Sequence, residues 1–286
     1  MKKFLKVLIT TLLLLGLALS MVACGETADP TKSAEKGLKY KKDAKTGFYT
    51  VYGYVQEDNV TELDLSNVKD ANGNAIVIGK IATGAFSGND ALKKVIVPDT
   101  VTEISAGAFK NMNKLEELVL PFIGKTANSD AIMNEYHPEG ENEEIEKSVD
   151  IERTFVYIFG TDSYDKGASV TANYGASTAN YYIPAYFKKV VVKNTKPYSI
   201  PMYAFSGVNL IREVELCDTI DAIGDNAFSN CHDLTKVNIP ASVKNIYNEA
   251  FKGSANFGAN LTEQDNANIA LATLGTDVFV GTKLDK

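Results

Sequence analysis

The sequence contains few of the residues on which most catalytic and metal centres depend. Its 286 residues include only two histidines, His137 and His232, and three cysteines. Because a zinc site takes several such ligands at short spacing, no zinc site is expected. The chain also lacks a Gly-x-Ser-x-Gly elbow, a phosphate-binding loop, a dinucleotide fingerprint and an EF-hand loop. The sequence therefore predicts no metal and no cofactor, and it favours a non-catalytic protein.

Proline and positive charge are also scarce. Eight prolines and a hydrophobic fraction of 45% indicate a globular chain and not a disordered one. The formal net charge is -7, and it becomes -10 when the first 23 residues, with Lys2, Lys3 and Lys6, are removed. An acidic protein has no general electrostatic attraction for phosphate backbones or anionic lipid. Nucleic acid is therefore not an expected partner.

The first 24 residues have the features of an export signal. Positive charge at residues 1–3 precedes an apolar stretch from Val7 to about Leu19, and small residues lead to Cys24. This site resembles a bacterial lipobox, which implies that residues 1–23 are a signal peptide and that the Cys24 thiol carries lipid. An uncleaved membrane anchor is the alternative, because the apolar stretch approaches the length that spans a bilayer. Both alternatives place the rest of the chain outside the cytoplasmic membrane.

Polar residues fill the segment after this site. Residues 24–46 are predicted to be a lipidated N-terminus and flexible tether, because almost nothing large and apolar occurs before Phe48. The folded domain is predicted to cover residues 47–286.

An internal repeat of 23 residues dominates this domain. Counted from Leu92 as position zero, apolar residues stand at offsets 3, 5, 9, 12, 16 and 17 and a proline at offset 6. The next unit begins at Leu115. The same offsets are met from Ile211 and from Leu234, and each of these units ends in an Ala-Phe pair. Less regular copies flank these units and include, at the C-terminus, Leu271, Leu274, Val278 and Phe279.

One unit cannot bury its own apolar face, so the units must stack. Offsets 3 and 5 share one face of a short strand, because side chains alternate along a strand. Proline at offset 6 ends the strand, since it cannot donate a hydrogen bond to the ladder. Offsets 9 and 12 and the Ala-Phe pair then turn inward. The pattern predicts a repeat solenoid with one continuous core, a parallel β-sheet on one face, and short turns and extended segments on the other.

The motifs of this unit resemble those of the BspA-like, treponemal-type leucine-rich-repeat family of bacterial surface proteins. Residues 234–240 read Leu-Thr-Lys-Val-Asn-Ile-Pro, and residues 223–231 read Ile-Gly-Asp-Asn-Ala-Phe-Ser-Asn-Cys. The resemblance covers roughly residues 48–284 and implies a curved, right-handed leucine-rich-repeat coil, for which we expect about seven turns. It also implies surface display and binding, without a shared ligand or catalytic set.

One part of the chain departs from the repeat. The 72 residues from Leu115 to Phe187 exceed a single unit and predict an elaborated turn at about 122–186. Residues 125–150 carry eight acidic residues against two lysines, which is typical of a solvated excursion. Residues 154–160 are predicted to form a modified turn of the coil, with Ile158 and Phe159 facing inward.

The outward positions of the main sheet are the candidate binding face. If offsets 3 and 5 point into the core, offsets 2 and 4 point out. The first outward column alternates in charge and consists of Lys94, Glu117, Lys189, Glu213 and Lys236. The second contains three adjacent aliphatic residues and consists of Ile96, Val119, Val191, Glu215 and Asn238.

Each column has two interpretations. Charges of alternating sign can contact a ligand, or they can pair along the sheet and keep it soluble. The aliphatic residues can mark a contact site, or the insertion can fold over them. In the second case the tyrosines of the insertion become the exposed candidates, because tyrosine offers a ring and a hydroxyl to a ligand. Eight of the 14 tyrosines lie between Tyr157 and Tyr203.

The two remaining cysteines leave a disulfide open, because spacing alone cannot show whether Cys217 and Cys231 meet. Cys231 occupies the offset that holds Met112 and Val208 in other units. We therefore expect it to be buried as a small hydrophobic residue.

Three functions follow from these observations. The favoured one is a non-catalytic extracellular binding module, anchored to the membrane by lipid and presenting its solenoid surface to a protein or glycan at the cell surface. The alternative is a structural or assembly lipoprotein of the cell envelope. The third is a hydrolase that uses Glu143 and Glu144, although such an acidic run is more typical of a solvated surface.

Overall fold

A computed structural model describes residues 36–70, 72–127, 151–175 and 177–285. The predicted signal peptide, the predicted lipidation site Cys24 and most of the acidic excursion, with His137, Glu143 and Glu144, lie outside the described residues. Across the described ranges, no helix has the length and apolar character needed to cross a membrane.

One short strand from each repeat joins a six-stranded parallel sheet, the main sheet. Its strands are β3 (Glu62–Asp64), β5 (Lys94–Ile96), β7 (Glu117–Leu120), β10 (Lys189–Val192), β12 (Glu213–Leu216) and β14 (Lys236–Val237). Along the sheet the order is β14-β12-β10-β7-β5-β3, so every strand lies beside the corresponding strand of the next unit. The predicted parallel sheet is thereby confirmed.

The opposite side of the coil is more regular than the short turns and extended segments that we expected. Two further four-stranded sheets form there. Their strands are β1 (Gly37–Lys42), β2 (Tyr49–Val55), β4 (Ile78–Ile81), β6 (Glu103–Ile104), β11 (Tyr198–Ile200), β13 (Ile220–Ile223), β15 (Asn245–Ile246) and β16 (Thr273–Leu274). The strand orders are β1-β2-β4-β6 and β11-β13-β15-β16. These sheets form because equal repeat lengths bring each extended segment opposite the same segment of its neighbour, where backbone groups can pair.

The Ala-Phe pairs lie in a tight turn that repeats at each level. The Phe N–H of one unit donates to the Ala carbonyl of the next, as in Phe205 to Ala227 at 2.7 Å. Two residues of each turn have positive φ, one before Ala and one two residues after Phe. The second position holds Gly88, Asn111, Gly207, Asn230, Gly253 and Gly281. Glycine and asparagine are favoured there because they adopt the left-handed conformation at least cost.

The Ala-Phe pairs share one core with the strand residues. Ala108 and Phe109 are fully buried, and the other Ala-Phe pairs are no more than 2% exposed. Parallel rings stack at about the spacing of neighbouring strands, as in Phe205 and Phe228, whose centroids are 5.0 Å apart. The predicted continuous core is confirmed, since all of these residues belong to a single buried cluster.

The insertion takes part in the stack through residues 154–160. Phe109 donates its N–H to Ile158 O at 2.9 Å, and Phe155 donates to Ala204 O at 2.7 Å. This turn therefore occupies one level between two regular repeats. Ile158 and Phe159 are fully buried, which confirms their predicted inward position.

An antiparallel hairpin follows that turn and was not expected. It consists of β8 (Gly167–Tyr174) and β9 (Ser177–Pro184). Alternate residues enter the common core, namely Val170, Ala172, Tyr181 and Ile183. Asn173 donates its N–H to Ser206 O at 3.3 Å, so the hairpin attaches to an Ala-Phe turn.

Both ends of the folded region differ from the prediction. Strand β1 lies within the predicted tether and pairs with β2, so the predicted domain start at residue 47 is too late. Leu38 and Tyr40 alternate with lysines in β1 and pack against the core. The polar composition of residues 24–46 gave no indication of this strand. At the other end, helix α1 (Glu263–Leu271) replaces a strand.

This helix leaves Leu271 83% exposed, so its predicted inward position is wrong. Leu274, in β16, is 44% exposed, whereas Val278 is buried as predicted. The helix instead uses polar groups to end the main sheet. Asp265 Oδ1 accepts a hydrogen bond from Ile239 N at 3.1 Å, and Asn268 Nδ2 donates to Ile239 O at 2.6 Å.

Candidate ligand-binding surface

The first outward column of the main sheet forms a ladder of ion pairs. The strand register places Glu117 beside both Lys94 and Lys189, and it places Glu213 beside both Lys189 and Lys236. Glu62 on β3 extends the alternation by one strand. The N···O distances are 3.8 Å for Lys94–Glu62, 3.3 Å for Lys94–Glu117, 3.9 Å for Lys189–Glu213 and 3.9 Å for Lys236–Glu213.

Lys189 is the most strongly paired member of this ladder. Its Nζ lies 2.5 Å from Glu215 Oε1 in the second column. Partial burial disfavours the charged form of the ammonium group and lowers its pKa. The hydrogen bond to Glu215 and the attraction of Glu213 stabilise the charged form more strongly, so the pKa of Lys189 is raised. The charges of this face therefore neutralise one another, which leaves little net field to attract a charged ligand.

The aliphatic part of the second column is less accessible than an exposed sheet face would suggest. Ile96, Val119 and Val191 lie side by side on adjacent strands. Val119 is only 7% exposed, and the other two are half-buried. The side-chain amide of Asn238 is hydrogen-bonded to the backbone: it accepts a hydrogen bond from Leu216 N at 2.5 Å and donates one to Leu216 O at 2.9 Å.

The structure thus brings all ten predicted face residues onto one side of the main sheet, but most of them already have partners. Whether the face contacts a ligand stays a prediction.

A groove with a volume of about 320 Å³ lies beside this face, at the edge where the chain enters the strands. Its lining includes Glu116, Tyr186, Lys188, Leu210, Arg212 and Asp233. Backbone hydrogen bonds between successive units set the spacing of its floor. Lys188 N donates to Glu116 O at 3.0 Å, Arg212 N donates to Lys188 O at 2.9 Å, and Thr235 N donates to Arg212 O at 2.9 Å.

Charge pairing along this groove is incomplete. Glu116 bridges Lys93 and Lys188, with N···O distances of 3.1 and 2.7 Å. Hydrogen bonds from these two ammonium groups lower the pKa of Glu116, which keeps its carboxylate ionised. The next cation along the edge, Arg212, is exposed and follows Lys188 directly in register. Among the described residues, no side chain forms a hydrogen bond or ion pair with its guanidinium group.

The insertion supplies the aromatic side of the groove. Strand β9 ends at Pro184, and Tyr186 follows it with 61% of its surface exposed. Among the sequence-based candidates, Tyr186 belonged to the tyrosines of the insertion, and Arg212 was not among them. A signal was nevertheless present, because Arg212 is one of only two arginines among 29 basic residues.

The two cysteines in the repeat domain are free and do not form a disulfide. Cys231 is 1% exposed, as predicted, and its Sγ lies 3.0 Å from Phe205 O. Burial raises the pKa of its thiol to about 12. Cys217 is half-buried, and its Sγ lies 2.9 Å from Thr219 Oγ1. Over the described parts of the chain, no group of three or more His, Cys, Asp or Glu residues is arranged to hold a metal ion.

Comparison with solved structures gives remote relatives. A leucine-rich repeat protein from Bacteroides ovatus is 17% identical, with 88% of this chain and 57% of that chain covered and a TM-score of 0.40. One from Eubacterium ventriosum is 16% identical, with 86% and 50% covered and a TM-score of 0.46. A leucine rich cell surface protein from Faecalibacterium prausnitzii is 16% identical, with 90% and 53% covered and a TM-score of 0.36. The chain therefore spans about half the length of these proteins.

No curated protein matches the chain. The BspA type leucine-rich repeat region, in contrast, matches residues 65–138 and 179–286 with six copies. These ranges include the regular units, the main-sheet strands from β5 onward and the groove residues. They omit residues 139–178, which contain the modified turn and strand β8. The chain belongs to the BspA-type leucine-rich repeat family.

Proposed function

We propose that this protein is a non-catalytic binding module that is displayed outside the cell and presents its solenoid surface to a protein or glycan. The observation that carries the proposal is the single core shared by all the repeats. Because inward side chains and backbone hydrogen bonds hold the units together, outward positions that lack partners can serve recognition. Extended binding surfaces are the common use of such repeat arrays.

The proposal includes anchoring by lipid on Cys24. It is supported by the charged start, the apolar stretch and the small residues before this cysteine. We also propose a right-handed coil of about seven turns, as the family resemblance implies.

The groove is the part of the surface that best supports ligand binding. On the neighbouring sheet face, the charged side chains are largely paired with one another. In the groove, an exposed tyrosine and an arginine with no side-chain partner in the described ranges face a concave surface. A ligand can therefore contact these groups without first breaking ion pairs, which lowers the cost of binding.

Retention assays test this function. Residues 25–286, which contain the whole described repeat domain, would be immobilised and exposed to extracellular matrix proteins, a glycan array and envelope extract of the source organism. We expect saturable retention of a protein or glycan ligand. Retention from the envelope extract alone would favour a structural or assembly role, and absence of saturable retention would contradict the binding function. The unfolded fragment is the control for nonspecific adsorption.

A further inference from the structure

We propose that Arg212 and Tyr186 form a subsite for an acidic sugar, with the sugar carboxylate on the guanidinium group and the sugar ring against the tyrosine ring. This inference rests on the proposed binding function and names the ligand class of the groove.

The choice of arginine at this position is the first argument. Twenty-seven of the 29 basic residues are lysines, so lysine is the usual surface cation of this protein. Lysine carries a compact point charge, whereas the planar guanidinium group offers two parallel N–H donors that match the two oxygens of a carboxylate. Arg212 is exposed, and its guanidinium donors form no side-chain hydrogen bond with a described neighbour, so they are available to a ligand.

The local charge balance is the second argument. Glu116 is already shared by Lys93 and Lys188, so its carboxylate does not compensate the neighbouring Arg212. The edge formed by these four residues therefore carries excess positive charge, although the whole chain is acidic. Asp233 also lines the groove and pairs with no cation among the described residues. Its carboxylate can accept hydrogen bonds from sugar hydroxyls.

The size and apolar character of the groove favour a sugar over a long acidic peptide. A volume of about 320 Å³ suits a small ligand of one or two rings. Tyr186 offers a broad ring that is 61% exposed, and Leu210 and Ala185 add apolar surface beside it. A tyrosine ring can pack against the apolar face of a sugar while its hydroxyl stays in water. An aspartate or glutamate side chain has no comparable flat surface.

The test compares carboxylated glycans with their reduced forms. Residues 25–286 would be applied to an array of oligosaccharides that contain uronic or sialic acid, each printed beside the counterpart whose carboxylate is reduced to an alcohol. We expect retention of at least one acidic glycan and about tenfold or greater loss of affinity on reduction, since charge-assisted hydrogen bonds are lost. Binding that is equal for the two forms, or confined to acidic peptides, would overturn the proposal.

Three variants assign the binding to the groove. Arg212→Lys keeps the charge but removes the planar fork, and we expect it to weaken binding about tenfold. Tyr186→Ala is expected to weaken binding as well, whereas Lys244→Ala, which removes an exposed cation outside the groove, is the matched control. Thermal unfolding of all three variants should match the parent chain. Undiminished binding by Arg212→Lys would show that simple charge attraction is sufficient, and this would refute the subsite.

The two proposals fail in different ways. If the chain retains a protein ligand but no carboxylated glycan, the acidic-sugar subsite is wrong and the binding function stands. If it retains no protein, glycan or envelope component, both are wrong.

Discussion

The ring of Phe228 stacks on the ring of Phe251 with 5.1 Å between the centroids and 7° between the ring planes. Both rings are fully buried. The two residues are one repeat apart, and their separation is close to the distance between neighbouring strands of the main sheet. The ring stack and the sheet therefore advance by the same step, which lets one set of inward residues serve every level of the coil.

Phe228→Ala should destabilise the protein by about 3–5 kcal/mol, because it leaves a cavity between two packed rings. Urea unfolding followed by circular dichroism would measure the change. Tyr186→Ala removes an exposed ring and should change the free energy of unfolding by no more than about 0.5 kcal/mol. Equal effects of the two substitutions would contradict the shared core.

Gly207 should tolerate alanine much less well than Gly88, although both have φ near +77°. An added Cβ at Gly207 would lie 2.1 Å from Thr171 O, whereas at Gly88 it would meet no atom of the described residues within 4 Å. We expect Gly88→Ala to cost about 1 kcal/mol in backbone strain, and we expect Gly207→Ala to cost roughly 1–3 kcal/mol more. Thermal unfolding of the pair measures this difference, and equal costs would show that the hairpin does not pack on this turn.

Lys189→Glu should destabilise the main sheet through repulsion from its neighbours Glu117, Glu213 and Glu215. Cross-strand charge pairs are worth about 0.2–1 kcal/mol each, and three are affected, so the loss should be about 1–3 kcal/mol and should shrink in high salt. Combining it with Glu215→Lys restores one attractive pair and should recover part of the loss. A loss that does not depend on salt would argue against an electrostatic ladder.

Cys231 should resist thiol reagents in the folded state. Its folded pKa of about 12 exceeds that of an ordinary thiol, so the group stays protonated at pH 8 and becomes reactive only on exposure or at much higher pH. In a Cys217→Ser variant of residues 25–286, labelling should therefore follow unfolding. Rapid labelling at pH 8 without denaturant would contradict the burial of this residue.

Cys24→Ala should prevent lipid attachment and release the protein or leave its precursor unprocessed. Metabolic labelling with a radioactive fatty acid and fractionation of cells would measure both effects. A serine substitution at Cys217 provides the matched cysteine control and should leave the lipid label unchanged. Normal membrane retention of the Cys24→Ala chain, together with an unlabelled parent chain, would favour an uncleaved anchor.

The sequence predicted the repeat domain well wherever the 23-residue spacing is regular. The inward positions of Ile158 and Phe159 could also be predicted, because their local pattern resembles an Ala-Phe turn. The hairpin of β8 and β9 could not, since its burial depends on contact with Ser206, more than thirty positions beyond Asn173. Alternation along each strand predicted which residues face outward, but how they pair depends on the register of separate strands.

The groove, too, depends on contacts between segments that are distant along the chain. Tyr186, Arg212 and Asp233 occupy positions that carry no part of the repeat signature. Only the stacking of units brings them to one edge, and only the insertion brings Tyr186 to its rim. The scarcity of arginine was visible in the sequence, but without neighbours it did not indicate a site.

The sequence by itself determined the repeat length, the inward and outward side of each strand, and the need for units to stack, because these follow from local periodicity and from the burial of apolar side chains. The tertiary structure alone decided which charges are neutralised, how the insertion joins the stack, and where an exposed arginine lies in the same groove as an exposed tyrosine. These features arise between segments that are distant along the chain, and local spacing carries no information about such contacts.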